Sequence, residues 1–130
     1  KDTVEAAGKL RQMGVEKVVL IGGSVGGLSV LRAGLDPKAG ADGIVCLSAS
    51  GSTEITESVA GVQVPVLFVA ARDDLAAFQL SDELYGAATG AQSRKLVLLD
   101  GALHADKLLQ PTAPTKSQVE TEILAFLEAL

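Results

Sequence analysis

Lys17-Val18-Val19-Leu20-Ile21-Gly22-Gly23-Ser24-Val25-Gly26-Gly27 is the stretch on which the reading of this chain turns. Its apolar residues are consecutive and mostly β-branched, the pattern of a strand buried on both faces. The chain then passes through Gly22-Gly23-Ser24-Val25-Gly26, a G-x-S-x-G, into a short helix expected from Gly27 to Leu35. In so tight a strand-to-helix turn, side chains two residues either side of the serine would collide, and glycine at 22 and 26 removes them. The serine is left in strained backbone with its hydroxyl exposed. The N–H of Val25 faces the same space from the helix N-terminus.

Three further apolar runs follow: Gly43 to Leu47, Val64 to Ala70 and Lys95 to Leu99. Pro65 stands at the start of its run, where a missing N–H is tolerated. Helical patterns lie between the runs. Asp2 with Glu5 resembles a capping box, Val4, Ala7 and Leu10 give a partial apolar face, and Gly14 ends that helix. Ala77, Leu80, Leu84, Ala87 and Ala88 form a stripe at 3.6 spacing closed by Gly90. Thr115 and Gln118 can cap a last helix whose apolar face is Val119, Ile123, Phe126, Leu127 and Leu130. Strands alternating with helices imply parallel βαβ units with right-handed crossovers. The expected fold is an α/β, three-layer α/β/α sandwich around a mainly parallel sheet of about four strands, with residues 1–130 as a single domain and no cap domain.

Composition narrows the function. At 130 residues, with 48% apolar and 21% charged residues, the chain is of ordinary globular makeup. Its net charge of −5 argues against nucleic acid as a partner, because phosphate neutralisation needs a basic face. One cysteine excludes an internal disulfide or a multi-Cys zinc site, and one histidine excludes a His-rich metal cluster. Little metal chemistry is therefore expected, no metal site is assigned, and no organic cofactor is implied. No apolar run is long enough to cross a membrane, so no membrane partner is expected either. The cytoplasm is the default compartment, although a leader cleaved ahead of Lys1 would change that.

Sites in open parallel sheets gather at the carboxyl ends of the strands. Reactive residues stand at three such ends: Ser24 after the first strand, Asp73 and Asp74 after the third, and His104 after the fourth. One of the two aspartates can accept the Nδ1–H of His104 while Nε2 takes the serine proton. This requires that strand order follow chain order, with the fourth strand outermost. Asp100 is nearer His104 in sequence but precedes a turn glycine and ranks third. Cys46, inside an apolar run, reads as a buried inert thiol, and Arg72 as a solvated cation with substrate anchoring as its rival role. A dinucleotide fingerprint would need glycine where Ser24 stands and an acid at the end of the next strand, which instead ends Leu47-Ser48-Ala49-Ser50.

With these residues in view, the sequence resembles the α/β-hydrolase superfamily, in particular its small esterase/lipase and dienelactone-hydrolase-like members. Val18 to Gly27 resembles the nucleophile elbow, Pro65 to Asp74 the acid-bearing strand and loop, and Leu98 to His104 the histidine loop. The order Ser, Asp, His is also that family's. The resemblance implies Ser24 as nucleophile, His104 as base, Asp74 as the acid, with Asp73 its alternative, and Val25 N–H as one oxyanion donor. Family members carry four further strands ahead of the first helix seen here, including the loop that gives the second oxyanion donor. The chain thus resembles the C-terminal half of the fold. About fifteen residues, Ser50 to Val64, stand where a lid is often inserted, so an open site is expected.

The expected activity is serine-dependent hydrolysis of small carboxylic esters through an acyl-enzyme on Ser24. Two other readings stand beside it: a weak or inactive half-domain serving assembly or binding, and a nucleotide-binding α/β domain. The strand at 17–21 would be an apolar sheet edge with unpaired N–H and C=O groups. Cover by a second copy of the chain, by a missing N-terminal segment or by a rearranged helix is expected there.

Overall fold

The computed structural model describes all of Lys1–Leu130. Its regular elements are α1 (Asp2–Gln12), β1 (Val19–Gly23), α2 (Val25–Gly34), β2 (Gly43–Leu47), β3 (Val66–Ala71), α3 (Leu75–Ala87), β4 (Arg94–Leu99) and α4 (Lys116–Glu128). Short 3-10 turns at Thr53–Glu57 and Val59–Gly61 carry the crossover between β2 and β3 in place of an α-helix. The sheet order is β1-β2-β3-β4 and every pair is parallel. Strand order therefore follows chain order, and all four carboxyl ends lie on one rim.

The consecutive apolar runs explain the layers. Every residue of β2 and β3 is buried, because both faces of these central strands are covered. Leu20, Ile44, Cys46, Val66 and Phe68 face one way into a core shared with Ala7, Leu28, Leu31, Leu80 and Leu84 of α1, α2 and α3. Val45, Leu47, Leu67, Val69, Val97 and Leu99 face the other way, against Leu108, Val119, Ile123 and Phe126. The result is the three-layer α/β/α arrangement expected from the alternation of elements.

Several local expectations are corrected. β1 begins and ends two residues later than the apolar run, because Gly22 and Gly23 still pair with Cys46 and Leu47. The helix after it starts at Val25, two residues before the expected Gly27. Asp2 does not cap α1: it is already helical, Lys1 occupies the capping position, and no side chain bonds the free N–H groups. Thr115 does stand at the N-terminus of α4, but its hydroxyl donates to the Leu108 carbonyl instead of capping. Leu127 belongs to no buried face, being 39% exposed beside Leu124 at 58%.

β1 forms one edge of the sheet, and no element of this chain pairs with its outer side. Ile21, which projects on the α4 side of that edge, is 48% exposed. At the opposite end of the strands, Asp42 accepts from Val18 N–H at 2.8 Å and pairs with Arg11, whose guanidinium also bonds the Gly40 carbonyl. That cluster ties α1 to the base of the sheet, away from the carboxyl rim.

Candidate active site

The turn after β1 works through one close approach. A Cβ at Gly22 would stand 2.1 Å from the Gly26 carbonyl oxygen, so only glycine lets α2 start so near the strand. The same construction at Gly26 meets nothing within 4 Å. The expectation that both glycines relieve a collision is thus corrected for Gly26: its backbone is the crowding partner, and its own side-chain space is empty. Gly23 has a different use, since a Cβ there would lie 3.1 Å from the Cβ of Ala105, next to His104.

Ser24 itself takes φ 57° and ψ −126°, a conformation that non-glycine residues seldom adopt. Only two other non-glycine residues have positive φ, Ser48 at 49° and Ala105 at 51°, and both flank the same rim. Each such residue costs on the order of 1–3 kcal/mol and persists where its surroundings hold it. The holding bonds are present. Ser24 N–H donates to the Leu47 carbonyl at 2.9 Å, and Ala105 N–H donates to the buried Ser48 Oγ at 2.9 Å. Ser48 thereby fixes the loop that carries His104 to the end of β2.

Three side chains named from the sequence meet on this rim. Asp74 Oδ2 lies 2.5 Å from His104 Nδ1, and His104 Nε2 lies 2.9 Å from Ser24 Oγ. The Asp74 carboxylate accepts, so Nδ1 carries a proton, and in the neutral imidazole Nε2 is the acceptor. Ser24 then donates to Nε2. Asp74 is held at the N-terminus of α3, where Phe78 N–H bonds its carbonyl, and its side chain is only 17% exposed. The His104 ring is 41% exposed, so the relay is open to solvent on one side. Val25 N–H, at the first position of α2, has no intrahelical acceptor.

The rival acids separate by position. Asp73 is exposed and engages the rim through its backbone, its N–H donating to the Gly101 carbonyl at 2.9 Å. Asp100 is fully exposed and lies 3.8 Å from Arg72, a solvent-facing cation. Cys46 is buried, its thiol donating to the Gly27 carbonyl at 3.4 Å, and burial pushes its ionisation well above the usual 9.0. No three His, Cys, Asp or Glu side chains gather as a metal site would require, and no helix is long and apolar enough to cross a membrane.

One contact escaped the sequence reading. Ser50 Oγ lies 2.8 Å from Ser24 Oγ, and Ser50 N–H donates to the Ser24 carbonyl at 3.2 Å. The only signal in the sequence was a pair of serines, Ser48 and Ser50, immediately after an apolar run. Ser50 also borders a small cleft of about 190 Å³ lined by Thr53, Ala76, Gln79, Leu80 and Glu83. A larger hollow of about 780 Å³ lies among Lys1, Glu5, Ser29, Arg32 and Lys38, and neither it nor the cleft is lined by Ser24, Asp74 or His104.

No protein-family model matches the sequence, and no curated protein matches it. Solved structures do match in shape. One, described as a predicted CIB-like hydrolase from Thermoplasma acidophilum, superposes with a TM-score of 0.73 at 22% identity. The match covers 98% of this chain and 60% of that one. A lipase-esterase related protein from Clostridium acetobutylicum gives a TM-score of 0.68 at 15% identity, covering 85% of this chain and 66% of the other. The chain thus spans about three fifths to two thirds of the length of these neighbours, and what it shares with them is the fold.

Proposed function

We propose that this chain, with its α/β-hydrolase-like fold, is a serine hydrolase of small carboxylic esters. The observation that carries the reading is the unbroken relay from Asp74 through His104 to Ser24, seated on the strained turn between β1 and α2. Ser24 Oγ attacks the acyl carbon while its proton passes to His104 Nε2. Asp74 keeps Nδ1 protonated and stabilises the imidazolium. The carbonyl electron pair moves onto oxygen, and Val25 N–H donates a hydrogen bond to that oxyanion. Collapse expels the alcohol, which takes the proton from Nε2 and leaves an acyl group on Ser24. Water then enters by the same steps in reverse order, giving up a proton to Nε2 and releasing the acid.

A small substrate suits an open rim, where the His104 ring is 41% exposed and only the 3-10 turns at Thr53–Glu57 and Val59–Gly61 stand between β2 and β3. The cleft beside Ser50, whose lining includes none of the three relay side chains, is smaller than the roughly 300–1,000 Å³ of pockets that enclose drug-sized ligands. Short acyl chains are favoured over long alkyl chains. No cofactor enters the chemistry. Val25 supplies one oxyanion donor, and lack of a second costs on the order of a hundred- to a thousandfold in rate.

The test is hydrolysis of p-nitrophenyl acetate and butyrate by the protein beside Ser24→Ala and His104→Ala, with fluorophosphonate labelling read by mass spectrometry. Activity and an adduct on Ser24, both lost in the variants, are expected. Equal slow turnover in all three without an adduct would favour the second reading, a half-domain that serves assembly. The open edge of β1 is the observation on the side of that alternative.

A further inference from the structure

The Ser24 hydroxyl has one proton and two neighbours, and the proton's direction assigns a role to the second neighbour. In the neutral imidazole that a general base requires, with Nδ1 of His104 protonated toward Asp74, Nε2 accepts and the Ser24 proton is committed to it. In the 2.8 Å contact between Ser24 Oγ and Ser50 Oγ, the donor must therefore be Ser50. We propose that Ser50 is a further catalytic residue, whose hydroxyl donates a hydrogen bond to the nucleophilic oxygen of Ser24 throughout the cycle. This rests on the reading of Ser24 as the nucleophile.

The position of Ser50 is built. Its own N–H bonds the Ser24 carbonyl at 3.2 Å, so the two residues are joined through backbone and side chain together. Ser48, two residues earlier, is buried at φ 49° and bonded to the His104 loop. Gly51, immediately after, takes φ 129°, and a Cβ there would lie 3.0 Å from Leu28 Cδ1 of α2. These constraints hold the end of β2 against the turn after β1, with Ser24 Oγ between Ser50 on one strand end and His104 on another.

The chemical consequence falls on two steps. As the Ser24 proton moves to Nε2, charge grows on Oγ before the bond to the acyl carbon is complete, and a donor at that oxygen stabilises it. In the acyl-enzyme, Oγ is the ester oxygen that must leave. When water has added and given its proton to Nε2, the C–Oγ bond breaks, its electron pair returns to Oγ, and Nε2 returns a proton there. Ser50 donates to that oxygen while the charge passes through it and keeps its own proton at the end. Acylation and deacylation are thus both accelerated by one hydroxyl.

The experiment compares Ser50→Ala, Ser50→Cys and Ser50→Thr with the unaltered chain. It measures the fluorophosphonate inactivation rate, the burst and steady-state phases of p-nitrophenyl acetate hydrolysis, and thermal unfolding. Ser50→Ala is expected to slow inactivation and both phases by about ten- to a hundredfold, the size of a hydrogen bond to a charged atom. Ser50→Cys keeps the volume but donates weakly, and should fall nearly as far. Ser50→Thr keeps the hydroxyl and should stay within a few-fold of the unaltered chain. Unchanged rates in Ser50→Ala, or a change confined to KM, would overturn the role of Ser50 alone. An unaltered chain that neither labels at Ser24 nor hydrolyses ester would overturn the nucleophile reading, and this proposal with it.

Discussion

Replacing Gly22 and Gly26 by alanine, one at a time, separates two residues that look equivalent in a G-x-S-x-G. At Gly22 the added methyl would lie 2.1 Å from the Gly26 carbonyl oxygen and 2.9 Å from Gly27 N, both backbone atoms of α2. Neither can swing aside as a side-chain tip would, so the helix must move off the strand. Overpacking a fitted site costs about 1–3 kcal/mol and occasionally more, and a clash with backbone belongs at the upper end. At Gly26 the methyl meets nothing within 4 Å, and the residue has ordinary negative φ inside the first turn of α2. Alanine there gains about 0.5–1 kcal/mol over glycine from reduced unfolded-state freedom. At roughly 3–5 °C per kcal/mol for a chain of this size, Gly22→Ala should melt about 10 °C or more below the parent. Gly26→Ala should melt level with it or a few degrees above. Circular dichroism melts read the difference directly. A Gly26→Ala protein destabilised as strongly as Gly22→Ala, or a Gly22→Ala protein that melts with the parent, would refute the reasoning.

Asp74→Asn should lower ester hydrolysis by about three to four orders of magnitude, as loss of the acid does in comparable relays, while the exposed Asp73→Asn stays within a few-fold; equal losses in steady-state assays would break the assignment. Cys46 should resist thiol reagents at pH 8 until the chain unfolds. Its thiol is held neutral by burial, so the native state keeps a proton that the unfolded state loses. Its contribution to stability is therefore full below about pH 9 and declines as pH rises above that value, which denaturant titrations at pH 8 and pH 10 would register. The unpaired edge of β1 beside Ile21 should drive concentration-dependent association that Ile21→Lys weakens; a strictly monomeric parent in light scattering at high concentration would count against self-pairing.

The sheet was legible because β2 and β3 are buried on both faces and so consist of unbroken apolar runs. Once strand order follows chain order, the residues at the ends of the runs fall on one rim, which is why Ser24, Asp74 and His104 were readable together. The choice between Asp73 and Asp74 was not available from spacing alone, since adjacent residues at a strand end point apart and only the start of α3 decides which faces His104. Ser50 was invisible for a similar reason. Its contact depends on the positive φ of Ser48, which redirects the chain after β2, and no pattern of residue types announces a left-handed serine. The caps misled because Thr115 already has helical backbone, φ −85° and ψ −15°, and Asp2 lies inside α1, so neither side chain folds back onto the free N–H groups.

The contact between Ser24 and His104 closes a loop of 80 residues that contains α2, β2, β3, α3 and β4. Local helices and the first strand pairs can form while that loop is still open, because short-range contacts pay the least chain entropy. The Ser24–His104 contact therefore needs β4 docked on β3, because His104 lies in the loop that follows β4. If Ser24 is the nucleophile proposed above, its labelling during refolding is expected to lag behind the return of secondary structure, and a chain stalled before β4 docks is expected to be well formed in part yet chemically silent.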